Sequence, residues 1–262
     1  MGTPQQEKKS SVFQLKIASS KLWKDMITAI STLIDEACFE ITPEGLKLRA
    51  MDPSHVAMVD FEWPKTVFDE YTCAQRGRLC VNVSEMLKVM KRVESDESIE
   101  LSLDGKTARL NVRLRGRYIR TFSMPTLEAA GEEVPTPKIT FNAQAKVTTG
   151  SLRNAIDDVS TVSDHVSLQM SAEQFTMRAM GDLGSVNVEI PRGSEALLGL
   201  DAKEESKATY SLTYLAEIVK AASATSDVAT IEFSTDMPVK LSFALPQGGR
   251  LEYFLAPRIE AE

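Results

Sequence analysis

The apolar residues of this chain fall into alternating and helical rhythms that take turns along its length. Residues 12–18 read Val-Phe-Gln-Leu-Lys-Ile-Ala, an alternation that predicts a strand. A helix is predicted next, capped by Ser19 or Ser20, because a side-chain oxygen there satisfies free amide groups at the helix start. In it Leu22, Trp23, Met26, Ile27, Ile30, Leu33 and Ile34 keep helical spacing, while Lys21, Lys24, Asp25, Thr28, Ser31 and Asp35 take the other side. Strand-like pieces follow at 37–41, 46–51 and 56–63. The first two are joined by Thr42-Pro43-Glu44-Gly45, where Pro43 suits the second turn position and Gly45 a positive φ. After a strand at 79–83, a helix from Ser84 turns Met86, Leu87, Val89, Met90 and Val93 inward and Glu85, Lys88, Lys91 and Arg92 outward. Strands at 98–103, 107–114 and 118–123 are linked by Asp104-Gly105 and Arg115-Gly116 turns.

The rhythm lapses over residues 126–138 (TLEAAGEEVPTPK), a stretch of acids, a glycine and prolines that reads as an extended linker. Beyond it the first pattern restarts. A strand-like run at 139–147 precedes a helix at 150–159 that buries Leu152, Ala155, Ile156 and Val159. Thr213 is the expected cap of a last helix, with Tyr214, Leu215, Ile218, Val219 and Ala222 facing inward. Arg49-Ala50-Met51 returns as Arg178-Ala179-Met180, 129 positions on, and residues 81–91 match 210–220 at the same offset. Ile99-Glu100-Leu101-Ser102 echoes Ile231-Glu232-Phe233-Ser234 at an offset of 132, so one short insertion separates the copies. Ordered matches at nearly one spacing identify a duplicated domain. Each copy reads as strand, helix and three strands, twice over, which predicts an α+β fold. The boundaries are a tail at 1–11, domains at 12–125 and 139–262, and the linker at 126–138.

Composition narrows what such a fold does. With 43% hydrophobic and 26% charged residues the chain reads as soluble and globular. The net charge of −7 argues against a uniformly basic surface but leaves room for a local basic face. Cys38, Cys73 and Cys80 form no C-x-x-C pair, and so sparse a set predicts reduced thiols in an intracellular compartment. Two histidines, His55 and His165, leave too few ligands for a structural metal site. The polar start lacks a signal-peptide core, and no apolar run is long enough to span a membrane. Gly105-Lys106-Thr107 lacks the first glycine of a phosphate loop, because position 100 is Glu. Asp52, Ser54 and His55 are too close in sequence to converge on one proton relay. No catalytic residue, metal or cofactor is therefore expected. The polar helix faces offer Lys21, Lys24, Lys88, Lys91, Arg92, Arg153 and Lys220, against Asp25, Glu85, Asp157, Asp158 and Glu217. Gathered on one side, those cations would touch phosphates without sequence preference.

Three segments carry a family resemblance: Met51-Asp52-Pro53-Ser54-His55-Val56, Gly181-Asp182-Leu183-Gly184, and Leu255-Ala256-Pro257-Arg258-Ile259-Glu260. With them the chain resembles proliferating cell nuclear antigen, the DNA sliding clamp of archaea and eukaryotes, from Val12 to Glu262. Met237-Pro238 and the brief acidic tail look archaeal. The resemblance implies a homotrimeric ring around duplex DNA, with the seven helix cations named above facing the DNA. It implies a processivity factor without catalytic activity, opened by a clamp loader and tethering DNA polymerase, flap endonuclease and DNA ligase through short peptides. A subunit of a heterotrimeric clamp is the alternative. A cytoplasmic, nucleoid-associated location follows if the source is archaeal.

The implied peptide groove maps onto Met51, His55, Val56, Met58, Val134, Pro135, Pro238, Phe254, Ala256, Pro257, Arg258 and Ile259. Val134, set among Gly131-Glu132-Glu133 and Pro135, has little apolar neighbourhood of its own and is expected to close over that groove. The implied subunit contact sets Tyr118, Ile119, Arg120 and Thr121 of one copy beside Leu183, Ser185, Asn187 and Glu189 of the next. Strand pairing there would cover two exposed edges.

Overall fold

The computed structural model describes residues 11–94, 96–105, 107–128, 134–182 and 184–259. The first copy runs β1 (Ser11–Ile17), α1 (Ser20–Ile30), β2 (Glu36–Thr42), β3 (Gly45–Met51), β4 (Ala57–Pro64), β5 (Glu70–Cys73), β6 (Gly77–Asn82), α2 (Val83–Met90), β7 (Ser98–Asp104), β8 (Arg109–Arg115) and β9 (Ile119–Pro125). The second repeats that order as β10 (Ala143–Thr148), α3 (Thr149–Val159), β11 (His165–Met170), β12 (Gln174–Gly181), β13 (Gly184–Pro191), β14 (Leu197–Ala202), β15 (Ser206–Ser211), α4 (Leu212–Ala222), β16 (Val228–Phe233), β17 (Val239–Ala244) and β18 (Arg250–Leu255).

Each copy thus holds one strand more than the alternation predicts. The extra strands, β5 and β14, pair antiparallel with β1 and β10 at sheet edges. Neither carries the apolar alternation of a half-buried strand, and none of the four residues of β5 is buried. Their existence depends on the partner strand rather than on their own pattern.

The chain divides into two compact units, and β3 and β4 run across the division: residues up to 27, 35–47 and 63–131 form one, and 28–34, 48–62 and 132–262 the other. In the first unit a sheet in the order β5-β1-β7-β8-β9 ends on β9. Phe13, Leu15 and Ile17 alternate inward from β1, and Trp23 of α1 packs against Phe39 and Trp63. Gly45 closes the hairpin after β2 at φ 149, where an added Cβ would sit 2.1 Å from the Trp63 carbonyl oxygen. Only glycine fits so close an approach.

In the second unit β13-β12-β11-β15 form one sheet, with β13 at its edge, and β14-β10-β16-β17-β18-β4 follow one another in a second. Helix α3 buries Leu152, Ala155, Ile156 and Val159, as its spacing predicts, and packs on α4, which buries Leu215, Ile218, Val219 and Ala222.

Several local expectations are corrected. Helix α1 ends at Ile30, and Leu33 and Ile34 are buried from the turn that follows. Helix α2 begins at Val83 rather than Ser84, and Asn82 caps it, its side chain accepting the Glu85 N–H at 2.8 Å. Thr213 lies inside α4, whose cap position is Ser211. Cys38 and Cys80 are register partners on β2 and β6 and form a disulfide, so only Cys73 is a free thiol. The spacing of the cysteines, 42 residues apart, says nothing of that pairing; strand register brings them together.

Candidate functional site

Strand β3 delivers Met51 to the rim of a loop whose shape rests on Asp52. Asp52 is 4% exposed, and its side chain accepts the backbone N–H groups of Ser54, Val56 and Ala57 at 3.1, 2.7 and 2.7 Å. Tyr214 of α4 donates its hydroxyl to the same carboxylate at 2.8 Å. Burial pushes the Asp52 carboxyl upward, but the Ala57 amide, the Tyr214 hydroxyl and the other amides outweigh it and hold the group below its ordinary range. The Asp52 hydrogen bond, with burial behind it, raises the Tyr214 phenol. Folded this way, the loop holds exposed His55 at φ 58 and leaves Val56 half-buried.

The neighbouring wall comes from the C-terminal strand. Met58 of β4 stands across from Phe254 of β18, and the Ala256 N–H continues the ladder to the Val56 carbonyl at 2.9 Å. Pro257 is half-buried, Arg258 is exposed, and Ile259 is 85% exposed. Half-buried Pro238 enters β17, whose Val239 pairs with Leu255. Met58 is only 4% exposed, so it forms packed floor instead of open wall.

The linker reaches this region at Val134, whose carbonyl accepts Nη1 of Arg49 at 3.3 Å; Arg49 Nε in turn donates to buried Asp60 at 2.7 Å. Pro135 is exposed beside it. At the linker's other end the Leu127 N–H pairs with the Cys80 carbonyl at 2.8 Å. The predicted groove residues are thereby brought to one region from the His55 loop, the linker end, the start of β17 and the C-terminal segment. Sequence reasoning misses Arg49 and Tyr214 as supports of this loop. The available signal was the repeated Arg-Ala-Met triplet with an acid just after it.

The predicted basic residues lie on helix surfaces. In the first unit Lys21 pairs with Asp25, Lys88 with Glu85 at 2.6 Å, Lys24 is half-buried, and Lys91 and Arg92 are exposed at the end of α2. In the second, Arg153 faces Asp157 at 4.0 Å and exposed Lys220 stands in the last turn of α4. Lys91, Arg92 and Lys220 have no acidic partner among the described residues.

The predicted edge residues divide. Tyr118 and Ile119 are 57% and 54% exposed, Thr121 is exposed on β9, and Ser185, Asn187 and Glu189 line the outward side of β13. Arg120 is held within the chain instead, donating to buried Glu97 at 2.6 Å and lying over the Tyr118 ring. Leu183 falls outside the described residues. The described residues hold no cluster of metal ligands.

Comparison with known proteins adds to this geometry. Residues 12–120 match the N-terminal domain, and 136–258 the C-terminal domain, of proliferating cell nuclear antigen. The chain is 38% identical over 238 residues to the DNA polymerase sliding clamp of Thermofilum pendens, spanning 91% of this chain and 96% of that one. DNA polymerase sliding clamp 1 of Pyrobaculum aerophilum is 37% identical over 246 residues, 94% and 98% of the two chains. Among solved structures, the clamp of Thermococcus kodakaraensis superposes with a TM-score of 0.89 at 27% identity, covering 94% of this chain and 100% of that one. A chain of the PCNA2–PCNA3 complex of Sulfolobus tokodaii gives 0.87 at 28% identity, covering 94% and 100%.

Proposed function

The chain belongs to the proliferating cell nuclear antigen family, and from that premise we propose that it is a DNA polymerase sliding clamp. Its two clamp domains span 12–125 and 139–262, joined by the linker at 126–138. In this reading three copies close head to tail into a ring, through β9 of one and β13 of the next. The helix cations face duplex DNA, and the protein acts by enclosing DNA rather than by catalysis. It works inside the cell, at the nucleoid, loaded by a clamp loader. DNA polymerase, flap endonuclease and DNA ligase dock through short peptides with aromatic anchors.

The observation that carries the docking reading is the convergence of the His55 loop, Val134, Pro238 and the Ala256-Pro257 segment around a half-buried Phe254. Calorimetry with a peptide carrying aromatic anchors tests it. Micromolar-range binding is expected, weakened about tenfold or more by Val134→Asp or Phe254→Ala, since packed anchors commonly cost above about 1.4 kcal/mol. Equal affinity for the wild type and both variants would put the groove elsewhere.

A second reading, one subunit of a heterotrimer, is favoured by the likeness to a chain of a complex of two different clamp proteins. Light scattering separates the two. A single species of three chain masses supports the homotrimer, and a persistent monomer supports the mixed ring.

A further inference from the structure

The duplicated Arg-Ala-Met triplet places one side chain in two different settings. In the first copy the Arg49 guanidinium is neutralised by Asp60 and holds down the linker through the Val134 carbonyl. In the second, Arg178 on β12 donates to neutral Asn187, its register partner on β13, at 2.8 Å. Arg178 is exposed and has no acidic partner among the described residues.

Around it the outward face of β13-β12-β11-β15 forms a groove of about 380 Å³ whose lining includes His165, Ser167, Arg178, Met180 and Lys207. Ser167 sits in the middle row of the sheet, paired with Arg178 on one side and Thr209 on the other. Its hydroxyl is buried and unpartnered among the described residues. Arg258 reaches the same place, its backbone N–H donating to the Thr209 carbonyl at 2.7 Å and its guanidinium lying against the His165 ring. Glu189 lies in the row of Lys207, across Thr176 and Gln169, and Glu205 comes two residues before Lys207, but both carboxylates are engaged by neutral amides: Glu189 by Asn187, and Glu205 by Gln169.

We infer that this groove is a second docking site, one that takes an extended acidic segment of a partner protein. Three cations converge on a concave sheet face in a chain of net charge −7, a local complementarity that selects anions. A peptide fits better than a nucleic acid. The lining has Ser, Thr and Asn side chains suited to an extended backbone and no Phe, Tyr or Trp on which bases would stack. Met180, 81% exposed at the lip, offers an apolar contact for side chains between the acids. Arg258 also belongs to the proposed anchor groove, so one partner can occupy both sites in a single run. Ring closure, if it follows the proposed edge pairing, brings Ile119, Thr121, Ser123 and Pro125 as the exposed side chains of β9, none of them acidic. The cations would stay available in the assembled ring.

The test is fluorescence anisotropy on the full-length chain at low salt, with a labelled glutamate–serine peptide that has no aromatic residue. The wild type should bind it, added salt should weaken it, and Arg178→Ser with Lys207→Ser should reduce affinity about tenfold. Both positions are exposed, so the variant keeps its fold, which a thermal melt checks. Lys207→Arg alone should bind as the wild type does. An anchor-bearing peptide should bind the double variant within about twofold of wild type, so a failed anchor site and a failed acidic site give different results. Unchanged affinity for the acidic peptide in the double variant, or equal binding of a lysine–serine peptide, overturns the inference. A single-stranded oligodeoxynucleotide that binds this groove more tightly than the peptide overturns it too, reassigning the site to nucleic acid.

Discussion

The loop between β3 and β4 has little apolar material to hold it, and one carboxylate takes that role. Asp52→Ala would leave the N–H groups of Ser54, Val56 and Ala57 without their acceptor. Unsatisfied buried groups cost about 1–3 kcal/mol each, although water can reach the two residues that are not buried. A net loss of about 2 kcal/mol is expected, with faster amide exchange at 54–57 and peptide affinity down about tenfold. Tyr214→Phe removes one hydrogen bond and should show the same changes at about 1 kcal/mol. The pH dependence has a definite sign. Because the folded Asp52 pKa is depressed, its contribution is complete above the ordinary aspartate value of about 3.9 and is lost as pH falls through the lower folded value. The raised Tyr214 phenol works oppositely, contributing below its ordinary value of about 10 and losing that only as pH rises through the folded value. Protection of the 54–57 amides, taken relative to their intrinsic exchange rates, should therefore hold from about pH 5 to pH 9 and fall below about pH 4. Protection that does not fall as pH drops through the Asp52 range would remove that carboxylate from the account of the loop's order.

At the scale of elements, the disulfide and the linker meet on β6. Cys80 is tied to Cys38 through its side chain and accepts the Leu127 N–H through its carbonyl. Closing a loop of 42 residues stabilises by about 4 kcal/mol, chiefly by restricting the unfolded chain. Reductant should then lower the melting temperature by about 5–10 °C, and Cys38→Ser with Cys80→Ser should melt at the reduced value with or without it. An unchanged melt on full reduction would remove the disulfide from the account of stability. Such features also mark the limit of what the sequence discloses. Helices α1 to α4 were legible because Trp23, Met26 and Ile27, or Leu215, Ile218 and Val219, form an apolar stripe that needs no partner to be recognised. Strands β5 and β14 were not, since an edge strand takes its register from β1 or β10. Val134 was legible as an apolar residue out of place in a polar linker, whereas Arg49 beneath it was not. Its partners, Asp60 and the Val134 carbonyl, are chosen by the fold, 11 and 85 residues away.

At the scale of the whole molecule, a chain of net charge −7 has to hold a polyanion, and the helix cations differ in what they can contribute. Lys21, Lys88 and Arg153 already face acids on their own helices, so a phosphate must compete for them. Exposed pairs of this kind are weak, about 0–1 kcal/mol, yet they lower the charge that such a helix face would present to DNA. Lys91, Arg92 and Lys220 carry no such partner among the described residues and should supply most of the attraction. Replacing these three with alanine should leave fold and assembly intact, because exposed substitutions seldom cost more than about 0.5 kcal/mol. The loss should appear in the salt series. Each phosphate contact removed lowers the slope of log affinity against log salt by about 0.9, and a homotrimer loses each contact up to three times over. Polymerase stimulation by the loaded triple variant should therefore fail at lower salt than the wild type. The matched variant Lys21→Ala, Lys88→Ala and Arg153→Ala, which removes the paired cations, should fail at intermediate salt. If both variants track the wild type across the whole series, the helices do not face the DNA, and the ring must hold it through another surface.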